Sequence, residues 1–559
     1  MNECLKVKKN NCKNCYKCIR NCPVKAISFG SNQANIVQDE CILCGRCFVC
    51  CPQQAKVVRD DLPIAKNLLQ GPEPVYASIA PSFAANYPGV SIASMTSALL
   101  KLGFTAVEET AAGATIVKTH YNQMLNSGEH PILISSCCHT VNMLIQRYYP
   151  GALPYLAKIH SPMQAHACAI KKQHPGAKVV FIGPCISKKD EAGQYPGIVD
   201  CVITFEGFSK WLNQENLDLF KDSSAKPGGK ARLFPIAGGI IRSMKPNNEN
   251  YHHLTVDGMD RCISALKDIS EGKITDRCFI EMSACEGSCI GGPAMGTAQS
   301  FPIRSSLDIE KQAGNFDFEV EMPDPESLSK PISPQAVTVP QIGTKELENA
   351  LLRIGKSKHS DELNCGSCGY DTCREKAATI IVGKSDETMC MPFLMDRAQS
   401  FSDIIISNTL SGVMVLSEKL EIQEFNASAA RIFGLEDRSG VINKPVSFIL
   451  EPDPFLQVLE TKENIIDQKV FLPGPDRYIA LTVIPDVSFR VIIAIMRDIT
   501  DSETARELKE AQDRATIEVT DKVIEKQMAT VQVIASLLGE TTAETKIALT
   551  KLKETLRNG

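Results

Sequence analysis

Cys12-Lys13-Asn14-Cys15-Tyr16-Lys17-Cys18-Ile19-Arg20-Asn21-Cys22-Pro23 recurs in kind as Cys41-Ile42-Leu43-Cys44-Gly45-Arg46-Cys47-Phe48-Val49-Cys50-Cys51-Pro52. Both runs space their thiols as C-x2-C-x2-C-x3-C-P. Such a loop wraps three thiolates around one face of a 4Fe–4S cube, and its fourth cysteine reaches the other cube. The spacing assigns Cys12, Cys15, Cys18 and Cys51 to one cube and Cys41, Cys44, Cys47 and Cys22 to a second. A pair of zinc knuckles would not use this three-plus-one crossover. Cys4 and Cys50 are left over, and Cys50 reads as a small buried residue rather than a ligand.

Outward from these loops, the chain has 559 residues and 23 cysteines, a length that implies about four domains. Ten cysteines lie in residues 1–51, four in 365–390 and none beyond Cys390, so metal-rich regions separate from a metal-poor tail. The formal charge of −5 leaves no basic footprint for nucleic acid or an anionic membrane surface. Apolar runs such as Val491–Met496 fall far short of the roughly 20 residues a bilayer span needs. Met1–Asn11 is polar and lysine-rich, unlike a secretory signal, so a cytoplasmic location is expected. In a reducing cytosol, clustered thiols read as metal ligands or catalytic groups. The N-terminal pair of runs is identified as a bacterial-type two-cluster ferredoxin module, whose task is one-electron transfer.

From about Asp61 the texture changes. Val75–Ile79, Ile132–Ser135 and Lys178–Phe181 read as strands, with helical patterns at Ser94–Leu102 and Thr115–Leu125 between them. This alternation predicts an α/β core with sites at strand C-terminal ends. Three cysteine motifs follow such runs: Ser135-Ser136-Cys137-Cys138, Gly183-Pro184-Cys185-Ile186-Ser187-Lys188, and Glu281-Met282-Ser283-Ala284-Cys285-Glu286-Gly287-Ser288-Cys289. Singly each is weak. Together, in this order and beside a ferredoxin module, they resemble the three H-cluster motifs of the FeFe (iron-only) hydrogenases, over roughly residues 1–400.

The resemblance implies that Cys138, Cys185, Cys285 and Cys289 hold a 4Fe–4S cube, with Cys289 bridging to a two-iron subsite that carries CO, cyanide and azadithiolate. Together these make the H-cluster. It implies Cys137 as proton relay, with a free-thiol pKa near about 8.5 placing both protonation states in reach. Lys188 would contact one cyanide, and Ser82 of Ala80-Pro81-Ser82 the other. The implied reaction is reversible heterolysis of dihydrogen, with electrons leaving through the cubes to or from ferredoxin. Departures from the family pattern stand beside this. His139-Thr140 replaces proline and glycine, Gly183 replaces a methionine, and Ser283 stands where the family has methionine. Relay glutamates three residues apart are replaced by adjacent Glu108-Glu109, so Glu109 is a weak relay candidate and slower turnover is expected. His139 is an alternative relay or a satisfied polar neighbour.

Beyond a proline-rich connector, Cys365, Cys368, Cys373 and Cys390 resemble the small 4Fe–4S domain of CO-dehydrogenase/acetyl-CoA synthase subunits, with zinc as the alternative. Arg374–Val382 reads as a helix packing that cluster. Residues 401–500 resemble a PAS domain: a hairpin of Gly412–Leu416 and Leu420–Phe425, a helix opening at Asn426, then strands Tyr478–Ile484 and Phe489–Met496. That segment has no His and no Cys, which excludes His-ligated haem and a thiol–flavin adduct within it; its ligand is unknown. In the tail, Ile524, Met528, Val531, Ala535 and Leu538 follow a 4-3-4-3 spacing for a short coiled-coil seam or a surface helix pair. Gly539 ends it, and Thr541–Glu544 reads as a capping box. All nine histidines lie at or before His359, so the tail is no histidine phosphoacceptor.

The expected architecture is multidomain, α/β and α+β. A ferredoxin-like two-cluster module spans 1–60, an H-cluster domain 61–340, a small 4Fe–4S helical domain 341–400, a PAS domain 401–500 and C-terminal helices 501–559. The first functional reading is a ferredoxin-coupled hydrogenase resembling the sensory branch of the family. The second is a sensor of hydrogen or redox poise that reports through the PAS domain and tail. The third is a non-catalytic iron–sulfur assembly-type protein lacking the two-iron subsite, against which the retained Cys137, Lys188 and four ligands argue. Candidate partners are a ferredoxin-like carrier, hydrogenase maturation proteins, a signalling phosphatase or kinase, and a second copy through the PAS domain and tail. No G-x-G-x-x-G or Walker loop is present to bind NAD or ATP.

Overall fold

The computed structural model describes residues 4–8, 11–30, 33–222, 228–245, 248–296, 302–338, 340–436, 438–538 and 542–558. The chain divides into two units, Met1–Leu394 and Met395–Gly559.

Two parallel sheets organise the first unit. Val75–Ile79 is buried at all five positions, as a strand covered on both faces must be. It runs between Ala106–Glu109 and Lys178–Gly183, with Cys201–Thr204 beyond the latter, all parallel. In the second sheet Cys278–Ser283 is flanked by His252–Asp257 and Ile132–Ile134, again parallel. The three expected strands therefore form, Ile132–Ile134 stopping one residue before the segment that leads into Cys137. Of the two expected helices, the first covers Ile92–Lys101, where Ser91 Oγ accepts from the Ser94 N–H at 3.3 Å and sets its start. The second begins at Thr110, straight from the strand end at Glu109, and runs to Ser127.

The N-terminal module has two small antiparallel pairs, Leu5–Val7 with Lys56–Val58 and Ile27–Gly30 with Gln33–Ile36. One helical turn, Lys17–Arg20 or Arg46–Val49, lies inside each cysteine run. Around Cys390, the helices Thr344–Arg353 and Cys373–Ile381 share a core of Ala350, Leu351, Ile354, Ala377 and Ile380. The Glu375 N–H donates to Thr372 Oγ1 at 3.0 Å, so the helix expected over Arg374–Val382 starts at the ligand candidate Cys373.

The second unit is an antiparallel five-stranded sheet ordered Ile422–Phe425, Gly412–Ser417, Val491–Asp498, Arg477–Asp486, Ile465–Leu472. Asn426 Oδ1 accepts from the Ala429 N–H at 2.8 Å and opens the helix Ala427–Phe433. The tail forms Thr500–Leu538 and Thr542–Asn558, two helices packed on each other, with Ile524 buried. The expected end at Gly539 and the capping box beginning at Thr541 lie outside the described residues. Among the described residues no helix is long and apolar enough to cross a membrane.

Candidate active site

Parallel strands deliver their C-terminal ends to one place. Ala80, Pro81 and Ser82 follow Val75–Ile79, Thr110 follows Ala106–Glu109, and Pro184 and Cys185 follow Lys178–Gly183. From the second sheet, Cys137 and Cys138 follow Ile132–Ile134, and Ala284 and Cys285 follow Cys278–Ser283. All of these residues, with Lys188 and Cys289, line a single cavity of about 120 Å³. Residues from three separate motifs thus meet because parallel strands of both sheets end there, the usual position of a site in such a fold.

The chemistry of this lining is specific. Burial raises the thiol of Cys138, and the neighbouring Cys185 adds to it; Cys289 is pushed up to about 12 by burial with Cys185 and Cys138 beside it. Burial likewise holds Cys285 well above the ordinary range, with Cys185, Cys138 and Cys289 as neighbours. Four mutually close thiols are an all-sulfur donor set, the chemistry of iron–sulfur groups. Ser82 Oγ is buried without a hydrogen-bond partner among the described residues, a donor left free at the cavity wall. Lys188 Nζ donates to the Cys137 carbonyl at 3.0 Å and to Glu191 Oε2 at 2.5 Å. These residues fit a buried iron–sulfur group that presents acceptors to Ser82 and Lys188.

Cys137 shares the cavity but differs in role. Its Sγ is 3.3 Å from Tyr121 Oη, and burial pushes its thiol to about 12 against the pull of Tyr121 and Lys188. Burial disfavours the thiolate, so the thiol lies above its solution value. His139 is buried, with Nε2 2.9 Å from Asp190 Oδ2 and Nδ1 without a partner among the described residues, and burial lowers its pKa. Glu281 also lines the cavity, and burial raises its carboxyl to about 7 although the Ile241 N–H donates to it at 3.0 Å. Glu109 sits elsewhere: its carboxylate is gripped by Arg232 at 2.6 and 2.5 Å and is not part of the lining.

Burial raises Cys47 strongly, and its thiol neighbours are Cys44, Cys41 and Cys22; those beside Cys18 include Cys12 and Cys51. Cys365, Cys368, Cys373 and Cys390 line a second cavity together with Lys376 and Tyr370. Among the described residues, no three His, Cys, Asp or Glu side chains form a single-ion site. Of the six unassigned cysteines, Cys4, Cys201, Cys262 and Cys278 are buried; Cys168 and Cys50 are half-buried. Cys50 is thus not the buried residue expected, because its turn faces outward with Sγ toward the Lys17 and Cys47 carbonyls.

The ferredoxin-like module and the cavity meet at Cys44, which lines the cavity with Cys285. Gly45, at φ +73°, makes this possible: a Cβ there would lie 2.4 Å from the Pro293 Cβ. Gly45→Ala is expected to cost about 2–4 kcal/mol, from left-handed backbone strain and overpacking together. A denaturant midpoint equal to wild type would show that the contact yields. At the module's other end, Arg20 donates to the Ser367 and Cys15 carbonyls at 2.9 and 3.0 Å, tying the Cys365–Cys373 loop to the first cysteine run.

One further residue of this neighbourhood, Tyr121, is not marked by any local sequence pattern, whereas Glu281 opens the third motif. Tyr121 reaches Cys137 through tertiary packing alone.

Residues 73–293 match the family model of the C-terminal domain of the iron-only hydrogenase large chain. Residues 361–392 match an Fe–S cluster family model, and 403–499 match the PAS fold. Similar relatives include the NADP-reducing hydrogenase subunit HndD of Solidesulfovibrio fructosivorans, 25% identical over 334 residues, covering 46% of this chain and 56% of the relative. A cytosolic Fe-S cluster assembly factor NAR1 of Encephalitozoon cuniculi is 26% identical over 187 residues, covering 29% and 51%. A ferredoxin of Mycolicibacterium smegmatis is 44% identical over 46 residues, covering 8% and 43%. The chain spans about half the length of these curated relatives.

Proposed function

We propose that this chain, whose residues 73–293 belong to the iron-only hydrogenase family, catalyses H2 ⇌ 2 H+ + 2 e− and reports hydrogen or redox poise through its PAS domain and tail. The observation that carries the reading is one cavity holding Cys137, Cys138, Cys185, Cys285 and Cys289 with Lys188 and the unpartnered Ser82 hydroxyl. Cys138, Cys185, Cys285 and Cys289 would hold the H-cluster, which when bound supplies the hydrogen-splitting and redox chemistry. Lys188 and Ser82 would offer donors to its cyanide ligands. Cys137, on the cavity wall, would hand a proton in or out. The lining is largely apolar, so the Lys188 charge would act at a lowered dielectric. Cys44, assigned to the second ferredoxin-type cube, lines the cavity, and Arg20 ties the Cys365–Cys373 loop to the first cysteine run, so the cubes these residues would hold form a path to the site.

This reading assigns three accessory 4Fe–4S clusters, ferredoxin or a similar carrier as electron partner, and a cytosolic location suited to 23 free thiols. It divides the labour as 1–60, 61–340, 341–400, 401–500 and 501–559. Infrared bands of iron-bound CO and cyanide, with hydrogen evolution from a reduced viologen, are expected of protein matured anaerobically. A matured sample with neither sinks the reading. A second reading, an assembly-type protein without the two-iron subsite, draws on the similarity to NAR1. It expects 4Fe–4S signals alone and no hydrogen turnover. Cys137 and Lys188 on the cavity wall favour the first.

A further inference from the structure

The hydrogenase reading needs a proton route between the cavity and solvent. Glu109 does not offer one, since both its oxygens are committed to Arg232. A different chain of groups does reach the surface. Thr110 lines the cavity, and its Oγ1 lies 2.8 Å from Ser78 Oγ. Ser78 Oγ lies 2.8 Å from His166 Nδ1, and His166 Nε2 lies 3.1 Å from Glu108 Oε2. Thr110, Ser78 and His166 are at most 4% exposed, whereas the Glu108 side chain is 37% exposed. The contacts are continuous, every member can both give and take a proton, and only the last meets water.

Four elements of the fold build this row. Ser78 is the inward residue near the end of Val75–Ile79, and Glu108 sits opposite it in the neighbouring strand, Ser78 pairing with Glu108 in register. His166 comes from the helix Pro162–Gln173, which packs on Thr110–Ser127. At the crossing stands Gly113, where a Cβ would lie 2.2 Å from the Pro162 carbonyl oxygen and 2.7 Å from the His166 backbone nitrogen. A side chain at that position would push the helices apart and lift His166 from Ser78. The hydrogen bond to His166 is the first cause that lowers the Glu108 carboxyl, and His174 is the other titratable group acting on it.

We propose that Glu108, His166, Ser78 and Thr110 form the proton conduit of this protein, in place of the family's paired glutamates; the proposal rests on the hydrogenase reading. In the inward direction a proton binds the Glu108 carboxylate and passes to His166 Nε2. His166 gives its Nδ1 proton to Ser78, Ser78 gives its own to Thr110, and Thr110 releases one into the cavity. One proton enters and one leaves. Only O–H and N–H bonds form and break, and no electron moves.

The test measures proton access in the cluster-bearing protein, separately from turnover. After transfer to D2O, exchange of the Cys137 S–H is followed in the infrared, the band being identified by its loss in Cys137→Ala. Thr110→Val and Ser78→Ala are expected to slow exchange about tenfold, and Thr110→Ser, which keeps the hydroxyl, to restore it. Glu108→Gln keeps a hydrogen-bonding group but cannot release the proton, and is expected to slow it likewise. Packing alone would not separate Thr110→Val from Thr110→Ser. Slowing below threefold in both Thr110→Val and Ser78→Ala overturns the conduit. Exchange that obeys this pattern in a protein without hydrogen turnover retains the conduit and rejects the hydrogenase reading; turnover with indifferent exchange does the reverse.

Discussion

Cys137→Ala is expected to lower hydrogen turnover by roughly 10²–10⁴-fold, the usual worth of a positioned proton-transfer group. The structure makes this a clean experiment. Removing the thiol leaves Tyr121 Oη its contacts to the Ser136 N–H at 2.9 Å and Ser136 Oγ at 3.3 Å, so no buried polar group is orphaned. Lys188 reaches the backbone carbonyl of residue 137, which the substitution keeps. Infrared bands of the bound group should therefore persist while the rate collapses. If Cys137 and the Thr110 conduit serve one proton, Cys137→Ala combined with Ser78→Ala should be no slower than Cys137→Ala alone. Turnover within about threefold of wild type would remove Cys137 from proton transfer.

Ligand candidates are legible in the sequence because metal spacing is local. Cys12 to Cys22, or Cys285 to Cys289, needs only a short loop or turn, and the sequence shows it directly. Their convergence is legible one step further, since strand-then-motif three times over implies that the motifs share the C-terminal edge of parallel sheets. What the sequence does not show depends on through-space pairing of residues that are ordinary in isolation. Ser78, Thr110 and His166 come from a strand and two helices, and nothing near His166 distinguishes it from a core histidine. Glu108 and Glu109 are neighbours with opposite fates because strand alternation turns one toward His166 and the other toward Arg232. Burial, which pushes the Cys137 thiol up, is a tertiary property that its solution value does not carry. The PAS assignment stands on hairpin and helix-opening signals, Gly412–Ser417, Ile422–Phe425 and the Asn426 cap, which are local and strong.

Glu191→Gln is expected to destabilise the first unit by about 3–5 kcal/mol, the cost of breaking a buried ion cluster from one side. Glu191 is fully buried; its Oε2 accepts from Lys188 at 2.5 Å and Ser161 Oγ at 3.1 Å, and its Oε1 accepts from Lys330 at 2.5 Å. Burial alone would raise this carboxyl, but the two ammonium groups overcome it and hold it well below the usual carboxylate range. The same burial lowers Lys330 despite Glu191 beside it. An amide cannot balance either lysine, so the variant leaves two cations in the interior. Because the folded value is depressed, the carboxylate's contribution is fully present above the unfolded value of 4.5 and fades as pH falls through the folded one. The gap between wild type and Glu191→Gln should thus be complete at about pH 7 and narrow in acid. Trp211, the chain's one tryptophan and buried in this unit, reports the unfolding by fluorescence. Adding Lys330→Met removes one stranded charge and should recover part of the loss, which a packing defect would not allow. A gap below about 1 kcal/mol at neutral pH would mean that Lys188 is positioned by the Cys137 carbonyl alone, and that the charge offered to the cavity does not depend on Glu191.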